Sequence, residues 1–237
     1  MLKLSIIIPV YNEKETIVKV LRKLKALKGS FRKEIIVIDD GSTDGSALIL
    51  NRINTESGNC FKLITHKENR GKGSSIRTGI QNASGDFILI QDADLEYDPN
   101  EIPGFIKTIQ NTRIGENSAK IAIYGSRFMK TPIQMPFLYV MGNRFLTRLM
   151  NLIYHIRLTD METGYKLIPT SIAKKMKIRS DHFDMEPEIT AKLIRSGIPI
   201  IEIPISYSGR THVAGKKLTV VDAIGALRAI VYYRFFN

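Results

Sequence analysis

The sequence predicts an α/β protein with a doubly wound, mostly parallel sheet flanked by helices. Along the first 130 residues, short apolar runs alternate with segments whose apolar residues recur at helical spacing. Two of the apolar runs end abruptly in paired acids, at Asp39-Asp40 and at Asp92-Ala93-Asp94. Because ligands of open α/β sheets bind at the carboxyl ends of the strands, this edge is the first place to expect a functional site.

Five strands are predicted in this part of the chain, each as a short apolar run: Leu4–Val10, Glu34–Ile38, Phe61–Ile64, Phe87–Ile90 and Ile121–Tyr124. Pro9 indicates that the end of the first strand is not a central position of the hydrogen-bond ladder. Apolar stripes predict the intervening helices, at Ile17–Leu27, at Ala47–Ile53, after Gly71 and at Ile102–Ile109.

The remaining elements are a helix through Ile189 and Leu193, a last strand at Ile198–Ile205, and two apolar helices at Met135–Arg157 and Val220–Phe236. No internal repeat or low-complexity linker interrupts the chain. Residues 1–237 are therefore expected to form one domain with C-terminal elaborations, its final helices being amphipathic.

The composition favours an anionic partner. The net charge is +12, which suits nucleic acid, anionic lipid or phosphorylated small substrates. Nucleic acid is not expected as a partner, because no arginine-rich tail, zinc-finger spacing or aromatic-and-basic RNA signature is present. The single Cys60 excludes an internal disulfide framework. We find neither a signal peptide nor an apolar run of about 20 residues, so the cytoplasm is the expected location.

Asp92 and Asp94 are the strongest candidate functional residues. Two carboxylates one residue apart at a strand end repel each other unless a cation or proton neutralises them, and hard oxygen ligands suit Mg²⁺ or Mn²⁺. The alternative is a helix cap and a solvated turn, which we favour only for Asp98 before Pro99. The acids predict a divalent metal that binds a diphosphate.

The stretch Arg70-Gly71-Lys72-Gly73 invites comparison with phosphate-binding loops. A P-loop would require glycine at His66 and Ser or Thr at Gly73, and the dinucleotide fingerprint would require glycine at Ile76. Both patterns fail. What remains is a glycine-rich helix start with nearby cations, which predicts an anion contact.

The helix predicted at Met135–Arg157 has two interpretations. It carries a broad apolar surface, with Arg144, Arg148, Asn151 and His155 together on one face. It either packs on the core or lies in a membrane interface.

Six stretches in order resemble the family-two glycosyltransferases, which have the GT-A fold. The resemblance covers nearly the whole chain and is closest to polyprenyl-phosphate sugar synthases of the dolichol-phosphate mannose and glucose synthase type. The stretches are Pro9-Val10-Tyr11-Asn12-Glu13, Asp39-Asp40-Gly41-Ser42-Thr43-Asp44, Arg70-Gly71-Lys72-Gly73, Asp92-Ala93-Asp94, Gly125-Ser126-Arg127 and Thr159-Asp160 through Tyr165-Lys166.

The resemblance implies a nucleotide-sugar-binding half at about 1–130 and an acceptor- and membrane-facing half at about 131–237. The implied nucleotide-sugar contacts are Pro9, Tyr11, Glu13, Asp39, Asp40, Lys72, Asp92, Ala93, Arg210 and Lys217. Asp92 and Asp94 would hold the metal, with Glu96 as an additional ligand. Asp94, Asp160 and Arg127 would form the catalytic group, with Asp160 near the reacting sugar carbon.

Two departures affect the acceptor side. The mannose synthases carry glutamine at the place of Glu96 and a second acceptor arginine near Val140. Arg127 would meet the acceptor phosphate, and Arg144 is the candidate substitute for that second arginine. The spacing of Arg210 and Lys217 also differs from that family's last loop.

The expected reaction is an inverting, metal-dependent transfer of a hexose from a GDP-mannose- or UDP-glucose-type donor to a polyprenyl phosphate. The enzyme would lie peripherally on the cytoplasmic face of a membrane, as a homo-oligomer or with a membrane-anchoring partner. One alternative is transfer to a sugar hydroxyl in polysaccharide or glycan synthesis, with Asp160 or Glu162 as general base. A non-catalytic basic module that docks on membranes is the alternative from another class.

Overall fold

The computed structural model describes residues 1–112, 121–130, 132, 134–209 and 220–236. Its seven strands are β1 (Leu2–Val10), β2 (Phe31–Asp39), β3 (Lys62–Thr65), β4 (Phe87–Ile90), β5 (Ala122–Ser126), β6 (Lys166–Pro169) and β7 (Ile200–Pro204). The helices are α1 (Ile17–Ala26), α2 (Ser46–Glu56), α3 (Lys72–Asn82), α4 (Ile102–Thr112), α5 (Phe137–Tyr154), α6 (Thr170–Lys175), α7 (Met185–Arg195) and α8 (Val220–Phe235). A short 3-10 helix, Pro99–Glu101, precedes α4.

The strands form one sheet in the order β3-β2-β1-β4-β6-β5-β7. All neighbouring pairs are parallel except those of β6, which runs antiparallel to both β4 and β5. The prediction of a mostly parallel, helix-flanked sheet is therefore confirmed. Pro9 lies beyond Ile7, the last β1 residue paired with β4, as its missing N–H requires.

The strand β6 was not predicted. Its four residues follow a polar stretch and include Lys166, so they have neither the length nor the uniform apolar character of the other buried runs. The structure inserts β6 between β4 and β5, which are consecutive strands along the chain.

Two apolar layers cover the faces of the sheet because side chains alternate along each strand. Ile6 and Ile8 of β1 pack in the layer with α1 and α4. Ile7 points to the other face, where α3, α6 and α7 pack. The burial of both faces explains why the central strands are continuous apolar runs rather than alternating ones.

The C-terminal half adds a third cluster, in which α5 and α8 pack together and against α7. Leu146, Met150 and Tyr154 of α5 lie in this cluster, whereas Phe137 and Leu138 at its start are 73% and 80% exposed. The C-terminal half of α5 thus packs on the core through these residues, and the N-terminal half presents apolar side chains outward. Contact of that exposed half with a membrane stays a prediction. Among the residues that the structure describes, no helix has the length and apolar character needed to cross a bilayer.

Candidate active site

A cleft of about 410 Å³ opens at the carboxyl ends of the parallel strands. Loops after β1, β2, β3 and β4 form one side of it, and residues of α5 and the start of α7 form the other. Ten of the predicted residues line it: Pro9, Tyr11, Glu13, Asp40, Lys72, Asp92, Ala93, Asp94, Glu96 and Arg127. The topology brings these side chains together from five separate segments of sequence.

The other predicted residues lie elsewhere. Asp39, Asp160 and Arg144 are not among the residues that line the cleft. Arg210 and Lys217 fall outside the described residues, so their predicted contacts with the diphosphate remain predictions.

Asp40 holds the loop that carries Lys72. Its carboxylate accepts the backbone N–H of Arg70 at 3.1 Å and of Gly71 at 2.8 Å, and Nδ1 of His66 lies 2.6 Å away. Nε2 of His66 lies 3.0 Å from the hydroxyl of Thr78 on α3. His66 follows the end of β3, and the fold packs it against Asp40 although the two residues are 26 positions apart in sequence.

The glycines of this loop are required by close packing. A Cβ at Gly71, where φ is +91°, would lie 2.2 Å from the carbonyl oxygen of Asp181, and a Cβ at Gly73 would lie 2.2 Å from that of Ser180. Backbone cannot yield to such contacts. The glycine-rich start of α3 therefore lets the segment before α7 pack closely against it. Of the basic residues of α3, Lys72 lines the cleft and Arg77 pairs with Asp181 at 2.5 Å.

Asp39 is the neighbouring acid, at the end of β2. It is 1% exposed, and within the described part of the chain neither carboxylate oxygen has a hydrogen-bond partner. A buried, unpaired carboxylate is costly and is the kind of group that a ligand N–H would satisfy.

Asp92 and Asp94 lie in the cleft, but Asp92 already has a cation beside it. Nζ of Lys72 lies 2.8 Å from Oδ1 of Asp92. On the other side of this carboxylate, Gly164 leaves room for Oδ2, because a Cβ at position 164 would lie 2.6 Å from that oxygen. Burial alone would lower the pKa of Lys72, but the charges of Asp92 and Glu186 outweigh it and raise that pKa. Asp94 accepts the backbone N–H of Glu96 at 3.1 Å.

The two acids fit a divalent ion in part of its coordination. Mg²⁺ is commonly held by one or two carboxylates together with the phosphates of a substrate. Throughout the described ranges, no three His, Cys, Asp or Glu side chains are grouped as a metal site. Glu96 as an additional ligand stays a prediction, and in the structure its carboxylate accepts the hydroxyl of Tyr207.

Arg127 and Asp160 form a buried bidentate ion pair. Nε and Nη2 of Arg127 each lie 2.7 Å from a carboxylate oxygen of Asp160, and the backbone N–H of Arg127 adds a third bond at 3.0 Å. Asp160 is fully buried. It lies behind Arg127 rather than on the cleft wall, which places it as the residue that orients the guanidinium.

Arg144 lies close to this pair on the exposed side. Its guanidinium carbon is 5.4 Å from the centre of the Phe128 ring, and that of Arg127 is 5.9 Å from the same ring. The two arginines therefore flank one aromatic side chain at the edge of the cleft.

Several cleft residues were not assigned a site role from sequence: Asn69, Tyr97, Tyr139, Asn143, His182, Phe183, Glu186 and Tyr207. Glu186 carried a usable signal, because it is in phase with the apolar positions Ile189 and Leu193 of α7. A carboxylate on an apolar stripe is expected to be buried and paired. The aromatic residues carried no signal that distinguishes them from core.

Glu162, named only as a candidate base, also faces the cleft. Its Oε1 is buried without a hydrogen-bond partner. Burial, with a smaller contribution from the negative charge of Glu186, raises the pKa of Glu162 to about 7. A carboxylic acid with this pKa exchanges a proton near neutral pH.

Comparison with known proteins agrees with this architecture. The profile of the family described as Glycosyl transferase family 2 matches residues 5–176. This chain belongs to that family. It is accordingly a glycosyltransferase, and its sheet, flanking helices and cleft are those of the GT-A fold.

Two kinds of relative are similar in sequence. An uncharacterized protein of Methanocaldococcus jannaschii is 30% identical over 229 residues, which cover 91% of this chain and 94% of the relative. An undecaprenyl-phosphate 4-deoxy-4-formamido-L-arabinose transferase of Serratia proteamaculans is 37% identical over 110 residues, or 46% of this chain and 34% of that protein. The chain thus matches about a third of the length of that transferase.

The fold is also similar to that of glucosyl-3-phosphoglycerate synthase from Mycobacterium tuberculosis. The complex of that enzyme with uridine diphosphate has a TM-score of 0.69 at 16% identity, covering 100% of this chain and 81% of the other. A complex with Mn²⁺, uridine diphosphate and glucosyl-3-phosphoglycerate has a TM-score of 0.68 at 16% identity, with the same coverage. A protein of this fold is thus known in complex with both Mn²⁺ and uridine diphosphate.

Asp160→Asn is expected to destabilise the protein by about 3 kcal/mol, because it leaves the Arg127 guanidinium buried beside a neutral partner. Chemical denaturation followed by circular dichroism measures the change. The double variant Arg127→Met/Asp160→Asn should recover part of the loss. As a control, Arg52→Met in the exposed pair Arg52–Glu56 should change stability by less than about 0.5 kcal/mol. Equal effects at the two pairs would contradict the buried ion pair.

Proposed function

We propose that this glycosyltransferase moves a hexose from a nucleoside diphosphate sugar to a polyprenyl phosphate at a membrane surface. One observation carries the proposal: α5 borders the catalytic cleft and an exposed apolar surface at the same time. Tyr139 and Asn143 of this helix line the cleft, whereas Phe137, Met141 and Phe145 of the same turns are exposed. An acceptor with a phosphate head and an isoprenoid tail matches both sides of this helix.

The donor site is supported by the loops after β1, β2 and β4. Tyr11 and Glu13 line the cleft beside β1, and Asp39 offers a carboxylate that lacks a hydrogen-bond partner. These groups suit a nucleoside base and ribose. Asp92 and Asp94 suit a metal-bound diphosphate, and a donor of the UDP-glucose or GDP-mannose type satisfies all of these contacts.

In the proposed reaction the chain supplies position and charge. Asp92 and Asp94 would hold a divalent metal, which neutralises charge on the leaving diphosphate when bound. Lys72 adds a positive charge beside Asp92. Arg127, oriented by Asp160, faces the acceptor phosphate. A phosphate monoester is mostly dianionic at neutral pH and needs no general base, so holding the two substrates in line supplies much of the acceleration.

The relatives support the acceptor class. The similar proteins named undecaprenyl-phosphate transferases act, by that name, on a polyprenyl phosphate. The uridine diphosphate and metal in the structural neighbours support the donor class. Neither match identifies the sugar.

Glu162 favours a second candidate function, transfer to a sugar hydroxyl. Such an acceptor must lose a proton as it attacks, and Glu162 lines the cleft with a pKa raised to about 7. This candidate predicts that activity rises with pH through that value and that Glu162→Gln abolishes the dependence.

Metal dependence is the first test of the donor site. Without a divalent ion, Asp92 and Asp94 would repel the diphosphate, so EDTA should abolish turnover and reduce binding of uridine diphosphate in calorimetry. Asp94→Asn should reduce kcat at least about 100-fold while leaving the melting temperature within a few degrees of wild type. Undiminished activity in EDTA or in the variant would refute the metal assignment.

The acceptor site is tested with two exposed arginines of one helix. Arg144→Ala should raise KM for polyprenyl phosphate about tenfold, with KM for the nucleotide sugar unchanged, because an arginine–phosphate contact is lost. Arg148→Ala, one turn further along α5 and also exposed, is the matched control and should change neither constant when the acceptor is a short-chain polyprenyl phosphate in solution, with no bilayer present. The assay follows radiolabelled sugar transfer to polyprenyl phosphate.

The same assay separates the two candidate functions. Free polyprenol and simple sugars serve as the alternative acceptors, over a pH series. Transfer to hydroxyl acceptors but not to the lipid phosphate would refute the proposal and favour the second function.

Membrane attachment is the remaining part of the proposal. The exposed apolar side chains of α5 and α8 lie near Arg144, Arg148, Arg228 and Arg234, and each basic residue at an anionic surface contributes about 1 kcal/mol. Full-length protein should float with liposomes rich in phosphatidylglycerol and should dissociate as salt is raised. Replacing Phe137 and Met141 together by serine should reduce flotation severalfold. No binding at low salt would assign these faces to contacts between protein chains instead.

A further inference from the structure

Lys72 lies between two carboxylates in the cleft. Its Nζ is 2.8 Å from Oδ1 of Asp92 and 3.5 Å from Oε1 of Glu186. The ring of Phe183 covers the ammonium group, with its centre 5.7 Å from Nζ. The side chain of Lys72 is 15% exposed. The ammonium group is therefore bonded to one acid and within reach of a second.

Glu186 is anchored through only one of its oxygens. Its Oε2 accepts Nζ of Lys166, which is fully buried and also donates to the carbonyl oxygens of Met161 and Thr163. Its Oε1 is buried and makes no hydrogen bond with any residue that the structure describes. Such an oxygen is costly to leave unpaired, and Lys72 is the donor closest at hand in the described part of the chain.

Asp92 has two possible cations. It is a candidate ligand of a divalent metal and is at present the close partner of Lys72. An ammonium group and a divalent ion on one carboxylate repel each other strongly, since a half-buried cleft screens charge poorly. Binding of the metal thus requires Lys72 to leave Asp92 while its positive charge stays near the diphosphate.

We propose that Glu186 is a positioning residue that receives Lys72 from Asp92 when a divalent cation binds. The transfer is an exchange of partners: the hydrogen bond from Nζ to Asp92 is replaced by one from Nζ to Oε1 of Glu186, which is now 3.5 Å away. Lys166 keeps Glu186 in place throughout. In the substrate-free protein, Lys72 then competes with the metal for Asp92. Once Glu186 has taken the ammonium group, the positive charge of Lys72 acts on the diphosphate together with the metal.

This inference rests only on the metal part of the proposed function, and its test uses metal alone. Binding of Mn²⁺ is measured by the electron paramagnetic resonance signal of the free ion, with and without uridine diphosphate. The proteins are wild type, Lys72→Met, Glu186→Gln and the double variant. Lys62→Met removes a surface lysine remote from the cleft and is the matched control.

Without nucleotide, Lys72→Met should bind Mn²⁺ about fivefold more tightly than wild type, because the competing cation is gone. Glu186→Gln should bind it about fivefold more weakly, because Lys72 has lost its second acceptor. In the Lys72→Met background the glutamate substitution should have no effect on Mn²⁺ affinity. This non-additivity separates partner exchange from a general loss of negative charge.

Three results would overturn the proposal. They are unchanged or weaker Mn²⁺ binding by Lys72→Met, an unchanged affinity in Glu186→Gln, and an equal effect of the Glu186 substitution in both backgrounds. Should Glu186→Gln fail to fold because Lys166 loses its partner, Lys72→Met alone decides. Loss of transfer to polyprenyl phosphate in the acceptor assay leaves this result standing, so the two proposals fail separately.

Discussion

Charge balance at the carboxyl edge of the sheet is the constraint on which the cleft depends. Parallel strands deliver Asp39, Asp40, Asp92 and Asp94 to one edge, and carboxylates gathered at one edge repel one another unless cations or hydrogen-bond donors lie beside them. The fold answers with cations and donors from elsewhere in the chain. Lys72 neutralises Asp92, two backbone N–H groups and His66 surround Asp40, and Lys166 pairs with Glu186.

The same constraint explains where the buried basic residues lie. Arg127, Lys166 and Lys192 are each at most 6% exposed, and each has an acidic partner, Asp160, Glu186 and Glu188 respectively. Removing either member of such a pair leaves a charge in a poorly solvated interior. One of these pairs joins distant parts of the chain, because Asp160 balances the charge of Arg127, which follows β5.

The parts of this architecture that local sequence determines were predictable. A strand buried on both faces needs a continuous apolar run, and helices on a sheet need an apolar stripe, so β1, β2 and β4 and the helices after them are visible in the sequence. The strand β6 was not predictable in this way. Its place between β4 and β5 is set by long-range pairing, and its four residues include a lysine that only the partner Glu186 makes acceptable in the interior.

The same distinction between local sequence and long-range contacts decides which residues of the site could be predicted. Strand-end acids such as Asp92 and Asp94 could be found because their position follows from chain order. The roles of Asp160 and Glu186 could not, because each depends on a partner distant in sequence: Asp160 orients Arg127 from behind, and Glu186 comes from α7 to face Lys72. Asp39 and Asp40 illustrate the limit well, since two adjacent acids have opposite surroundings, one without partners and one fully bonded.

The bonds of Asp40 have a consequence for changing which donor the enzyme accepts. Asp40 follows directly on Asp39, beside the proposed base pocket, and its carboxylate holds the backbone from which Lys72 extends. In the proposed site, recognition of the base and handling of the phosphates would thus be joined through one side chain and the strand end that bears it. A redesign that reshapes the end of β2 to admit another nucleobase would also displace Lys72. Selectivity and turnover would then be coupled, and donor preference would be better altered from the β1 side, at Tyr11, than from the Asp39-Asp40 side.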